Sequence, residues 1–517
     1  MTTGRGQGQE SRRSRRPSRM FVFVAVVIAA ALAFLAQPSG AAVRTSRTVS
    51  PHARVTKALG QLLTYGYNNA RDGVDTADPS FAHLKAAWTV NINGGIYGQP
   101  LIDGKLVIVA TELDEVYALN ASTGKVAWKF SIGRASNTSI IDQAPGLSSC
   151  GDISPLGITG TPVIDGATSD IFVAGEVQNG DSWHGVKHVM VAAHFSSTKV
   201  KVLWDHQIDP PGHGTTYIIP AEQLRSSLTL SDGRVYAEFG GLDGDCGAYQ
   251  GYVLSFDTAG KAYKWFKVPT SREGAIWAPD GAATSPSGEL FVATGNSANG
   301  PGSPYDYGDS VIGLSPSLKI DGYFAPSDWA QRNAQDLDLG SGGPIILPNS
   351  DYVFETGKAG ADDVSWGYLL DGAKLGGLAH QLFKGAVCSG GQYVFGSDAA
   401  TIVTVKGKRH TYLFVPCPSG TAAVQVNYGK HPTFSVKWNA SSGNPNGTPI
   451  VAGGLVWAVA TDADGGGGPS DLYGMNILTG KVEVAVGVRS VEHFATPGAG
   501  DGMIFVSSQS GVQAFKP

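Results

Sequence analysis

One pattern recurs along most of this chain and limits what it can fold into. A small-residue or Gly-Thr-Pro opening leads to a short apolar strand, a tight turn, a second apolar strand and a hairpin strand; Thr-Gly-Lys and a tryptophan-bearing strand often follow. The clearest copy runs from Gly98 to Ile132, where QPLIDG, KLVIVATE, VYALNASTG and KVAWKFSI read as strands a, b, c and d. Asp103-Gly104 and Thr123-Gly124 supply its turns. Looser copies begin at Gly160, Arg225, Gly281, Gly343, Ser397 and Gly447. The C-terminal HFATPGAGDGMIFVSSQSGVQAF gives three strands, and LKAAWTVNI at 84–92 is an orphan outer strand. Joined, they complete one more unit and leave no ragged sheet edge between the first and last copies. The expectation is an all-β, eight-bladed β-propeller of four-stranded antiparallel blades, closed by the N-terminal strand. Seven blades is the alternative count.

Composition agrees with this. Glycine supplies 70 of 517 residues while only 16% are charged, as many short strands joined by tight turns require. The net charge of −5 includes a basic leader, so the remainder is more acidic still. Nucleic acid is excluded as a partner, because no basic patch offsets phosphate repulsion.

The leader itself places six arginines and one acid, Glu10, between Arg5 and Arg19, ahead of the apolar run Phe21 to Ala36. At 16 residues that run is short for a membrane span, and small residues follow at Ser39 to Ala42. The division expected is a signal peptide at 1–42, a flexible segment at 43–64 and a propeller at 65–517. A retained anchor is the alternative, and Arg12-Arg13 and Arg15-Arg16 invite a twin-arginine route. The expected location is secreted or extracytoplasmic, with a monomer that meets a membrane only through its leader. Cys150, Cys246, Cys388 and Cys417 then suggest two disulfides, with three pairings open. The propeller layout permits Cys150 with Cys246 and Cys388 with Cys417, each within loops of one rim. Without C-x-x-C or C-x-x-C-H, neither zinc nor covalent haem is expected.

Blades ending in ALNASTGKVAW resemble the repeats of quinoprotein alcohol dehydrogenase-like (PQQ-binding-like) propellers. So do the longer words VATGN at 292–296, TGKAG at 356–360 and HFATP at 493–497. The resemblance implies a site for pyrroloquinoline quinone and calcium. It makes Glu176, Asn296 and Asp336 metal ligands, Asp336 the general base, Lys358 a partner of the quinone oxygens and Trp277 the surface on which the ring stacks. The residue types suit those roles: oxygen ligands for calcium, a carboxylate base and an indole face. Each also has a structural reading: a turn for Asn296, a loop cap for Asp336 or Asp338, interblade core for Trp277, an ion pair for Lys358 and a rim carboxylate for Glu176. The sequence departs from the family where adjacent cysteines and an arginine are expected and it reads Cys150-Gly151-Asp152-Ile153. No haem segment is present either, so any electrons would need an external acceptor.

Two functions follow. One is a non-catalytic binding or scaffold propeller, or one with a degenerate quinone site, serving a protein or polysaccharide at the cell surface. The alternative is a quinone- and calcium-dependent alcohol or sugar dehydrogenase. His213 and His493 offer no triad, Asp243 and Asp245 read as a tight turn, and DADGGGGPSD at 462–471 reads as a loop.

Overall fold

In the computed structural model the described residues are 60–517, apart from 79, 213–216, 361, 390–393, 441 and 462–469. The 1–42 leader, most of the 43–64 segment, His213 and most of the 462–471 run lie outside them.

Eight small antiparallel sheets follow one another. Blade 1 pairs Leu101–Asp103, Leu106–Ala110, Glu115–Asn120 and Val126–Ser131 in that order, as expected. The innermost strands of blades 2 to 7 are Val163–Asp165, Thr229–Ser231, Ala283–Thr284, Ile345–Ile346, Ala399–Val405 and Ile450–Ala452. In the last blade Lys85–Asn91 lies antiparallel beside Gly511–Lys516, from Lys85 opposite Lys516 to Asn91 opposite Gly511. The two ends of the propeller therefore share one sheet, and the ring is closed by hydrogen bonds. Inner strands such as Leu106–Ala110 are buried throughout, whereas outer ones such as Val126–Ser131 alternate between exposed and covered residues.

The signature words of the repeat form one contact between neighbouring blades. The outer-strand indole of Trp88 donates to Ala121 O of the next blade at 2.8 Å. Trp128 does the same to Ser196 O at 2.9 Å, Trp204 to Thr258 O at 3.1 Å and Trp438 to Ile477 O at 3.0 Å. Each accepting carbonyl sits in a turn between strands c and d.

Two details differ from the sequence reading. The outer strand of blade 5 is Phe383–Ser389, so Cys388 belongs to blade 5 and its disulfide to Cys417 joins blades 5 and 6. That strand lacks the tryptophan signature, and the chain before it detours so that Gly377–Leu378 pairs in parallel with blade 4. The other disulfide, Cys150 to Cys246, ties the connection between blades 1 and 2 to blade 3.

The segment ahead of the first blade is a belt. Each blade turns an inner strand edge toward the axis, and its backbone groups need partners. Leu62 exchanges hydrogen bonds with Ile102 of blade 1, and Leu63 O accepts from Ile164 of blade 2. Asn69 donates its amide to Leu230 O of blade 3 and accepts from Thr284 of blade 4. Ala70, Asp72 and Gly73 carbonyls accept from Ile346, Ala400 and Val451 of blades 5, 6 and 7, and Tyr67 bonds both N and O of Ala499 in blade 8. Fully buried Arg71 is held by Thr64 Oγ1, Tyr65 O, Thr229 Oγ1 and Ala282 O, with Glu238 and Asp280 balancing its charge. The belt covers the end of the axis that carries the a–b turns.

Candidate functional site

At the opposite end, loops entering strands a and loops joining strands b to c enclose a cavity of about 480 Å³. It is lined by Asp152, Arg225, Asp243, Asp245, Trp277, Asn296, Asp336, Asp338, Lys358, Phe395, His493 and Phe494, among others. Of the residues that the resemblance singles out, Trp277, Asn296, Asp336 and Lys358 share this cavity. Glu176 does not line it. That carboxylate is buried on strand Asp170–Gln178 with Oε2 3.5 Å from His188 Nε2. Burial raises its pKa, against the pull of His188.

The strands explain how the others meet. Asn296 follows strand Leu290–Ala293 and Lys358 follows strand Tyr352–Glu355, the same position in adjacent blades. Helix Trp329–Gln335 ends at Asp336, which adopts the left-handed conformation and donates its N–H to Arg332 O. Asp338, two residues on, is 4% exposed and points inward.

One cation organises the floor. Lys358 Nζ lies 2.8 Å from Asp336 Oδ1, 2.8 Å from Asp338 Oδ2 and 3.2 Å from Asp336 O. Burial works against its charge, but Asp338 and Asp336 outweigh that and raise its pKa. Asp336 is itself raised, by burial and then by Asp338, with Lys358 opposing. The other oxygen of Asp338 accepts from Asn296 N at 2.7 Å, and Asn296 Nδ2 donates to Asp245 Oδ2 at 3.3 Å. Asp243 is half-buried, and burial followed by Asp152 raises its pKa. Around Trp277 stand Phe395 and Phe494, with Arg225 5.7 Å and Lys358 5.9 Å from the indole centroid.

The residues do not fit the calcium that the resemblance implies. Asp336 and Asp338 are both bound to the Lys358 ammonium, Asn296 turns its NH₂ toward Asp245, and Glu176 is elsewhere. Among the described residues no group of three His, Cys, Asp or Glu side chains is arranged to hold a metal. Five aspartates against one lysine and one arginine also oppose an anionic quinone.

Sequence reasoning gave no role to Arg225, Phe395 or Phe494, and gave Asp338 only a loop-capping one. All four lie shortly before an innermost strand, the place already occupied by Trp277. Comparing that position across every blade would have found them.

The family described as outer membrane protein assembly factor BamB (PQQ_2) matches residues 85–294. A polyvinylalcohol dehydrogenase of Sphingopyxis sp. (strain 113P3) is 23% identical over 428 residues, covering 71% of this chain and 58% of that protein. A second, from Pseudomonas sp., is 24% identical over 262 residues, 45% of this chain and 35% of its own. The chain thus spans less than two thirds of the length of these curated relatives. In three dimensions it is similar to a quinohemoprotein alcohol dehydrogenase from Comamonas testosteroni, with a TM-score of 0.57 and 13% identity over 88% of this chain and 80% of that one. A europium-containing methanol dehydrogenase gives a TM-score of 0.58 and 13% identity over 87% and 90%. The structural likenesses establish the fold. The chain is an eight-bladed β-propeller whose residues 85–294 match the PQQ_2 family and which is similar, at low identity, to two polyvinylalcohol dehydrogenases.

Proposed function

We propose that this chain is an exported, non-catalytic binding propeller whose cavity holds a hydroxyl-rich ligand, a sugar or the end of a polysaccharide, without oxidising it. The carrying observation is the Lys358 ammonium seated between Asp336 and Asp338. Oxidising an alcohol calls for a carboxylate available to take the hydroxyl proton, and here that carboxylate is committed to an ion pair. What remains suits recognition. The Trp277 indole offers an apolar face, while Asp243 and Asp245 offer acceptors for hydroxyl groups. The cavity volume is that of a small-molecule site. Two disulfides and the arginine-rich, apolar leader support a location outside the cytoplasm.

A second reading, a quinone- and calcium-dependent dehydrogenase passing electrons to an external acceptor, is favoured by the activity in the name of the Sphingopyxis relative. One experiment separates the two. Titrating the purified chain with oligosaccharides should change tryptophan fluorescence saturably, and Trp277→Ala should abolish the change. With calcium and quinone added, no alcohol in a panel that includes polyvinyl alcohol should reduce a redox dye. Quinone-dependent dye reduction by the wild type would replace the first reading with the second.

A further inference from the structure

We infer that Lys358 is the resident cation of this cavity, standing where a divalent metal would otherwise bind, and that its side chain alone keeps the floor free of metal. Three oxygens converge on its ammonium: Asp336 Oδ1, Asp338 Oδ2 and the Asp336 carbonyl, within 2.8 to 3.2 Å. Two carboxylates and a backbone carbonyl are the donors that a hard dication takes, with waters completing its shell. The ammonium has three N–H groups, and these three oxygens match them.

Lys358 and Asp338 are held on several sides, while Asp336 faces solvent. Lys358 N donates to Asp338 O and Ser341 Oγ, each at 2.9 Å, which fixes its backbone, and the side chain is 7% exposed. Asp338 is pinned from behind by Asn296 N. It packs so closely on Gly295 that a Cβ there would lie 2.7 Å from Asp338 Oδ1. Fully buried Asp309 accepts from Leu339 N, the residue after Asp338, at 2.7 Å and so fixes the backbone there. Removing the ammonium would therefore leave two converging carboxylates, Asp338 buried and fixed and Asp336 open to solvent, which recruit either a metal or a proton.

This rests on the same cavity as the proposed function but is tested apart from it. Terbium emission excited through the nearby Trp277 reports metal at this point, with calcium as competitor. Wild type and Lys358→Arg should give no saturable emission. Lys358→Met should bind terbium at least about tenfold more tightly, lose it to calcium, and lose it again when Asp338→Asn is added. Native mass spectrometry of the wild type after dialysis against calcium should show the bare chain, a measurement that stands even where a variant fails to fold. Calcium retained by the wild type, or a folded Lys358→Met that binds no metal, would overturn the inference. Dye reduction by a metal-free wild type would instead remove the non-catalytic reading and leave this one intact.

Discussion

Trp88 lies over Gly124: a Cβ on that glycine would fall 2.7 Å from Trp88 Cε3, and the same indole donates to Ala121 O at 2.8 Å. Gly124 has a φ of 70°, so it meets the turn and the neighbouring ring at once. Gly480 meets Trp438 in the same way. Gly124→Ala adds backbone strain to an overpacked contact and should cost about 2 to 4 kcal/mol of stability. Ser122→Ala in the same turn should cost almost nothing. Urea unfolding midpoints compare the two directly.

Arg71 neutralises two buried carboxylates, with Asp280 pushed up to about 7 and Glu238 to about 8, in each case by burial. Arg71→Met leaves them uncompensated where they are ionised and should cost about 3 to 5 kcal/mol above about pH 8. Because both are protonated below their folded pKa values, the deficit should shrink as pH falls below about 7. A deficit that is flat between mildly acidic and alkaline pH would contradict this placement of charge.

Burial raises Glu112 to about 8, against the Gly157 N–H that bonds it. In the unfolded chain the same group titrates near about 4.3. Its neutral form is therefore favoured by folding: the contribution is complete below about pH 4 and is lost as pH rises through about 8. Thermal melts should fall across that window in the wild type, and Glu112→Gln should flatten the slope.

The two disulfides should separate by function. Cys150–Cys246 fastens the loops carrying Asp152, Asp243 and Asp245. Replacing it by serines should cost about 2 to 4 kcal/mol and also weaken ligand binding. Replacing Cys388–Cys417, which joins blades 5 and 6 and does not line the cavity, should lower stability and leave affinity unchanged. Guanidinium unfolding and fluorescence titration of the two variants read both effects.

What was legible in the sequence was what is local or repeated. Thr-Gly-Lys and the strand tryptophans marked the blades because they are the two halves of one interblade contact. LKAAWTVNI was recognisable as an outer strand lacking a sheet. Strand Phe383–Ser389 carries neither word and was passed over. Asn296 and Lys358 were found through the words VATGN and TGKAG, which stand at the end of strand b in adjacent blades. Glu176, at the same place in the repeat, turns instead to His188, a partner set by the next strand of its own blade. Arg225, Phe395 and Phe494 converge from three blades far apart in the chain, and no window of sequence contains them together. The belt has no repeat at all, since its residues answer to blades spread right round the ring.

That belt also acts as a ruler. It offers one group or two to the inner edge of every blade, so its length is fitted to a ring of eight. Duplicating a blade, the simplest way for a repeat protein to grow, would leave an axial strand with nothing opposite it unless residues 62–75 lengthened in step. The size of the ring is thus encoded twice, once by the copies and once by the stretch that precedes them.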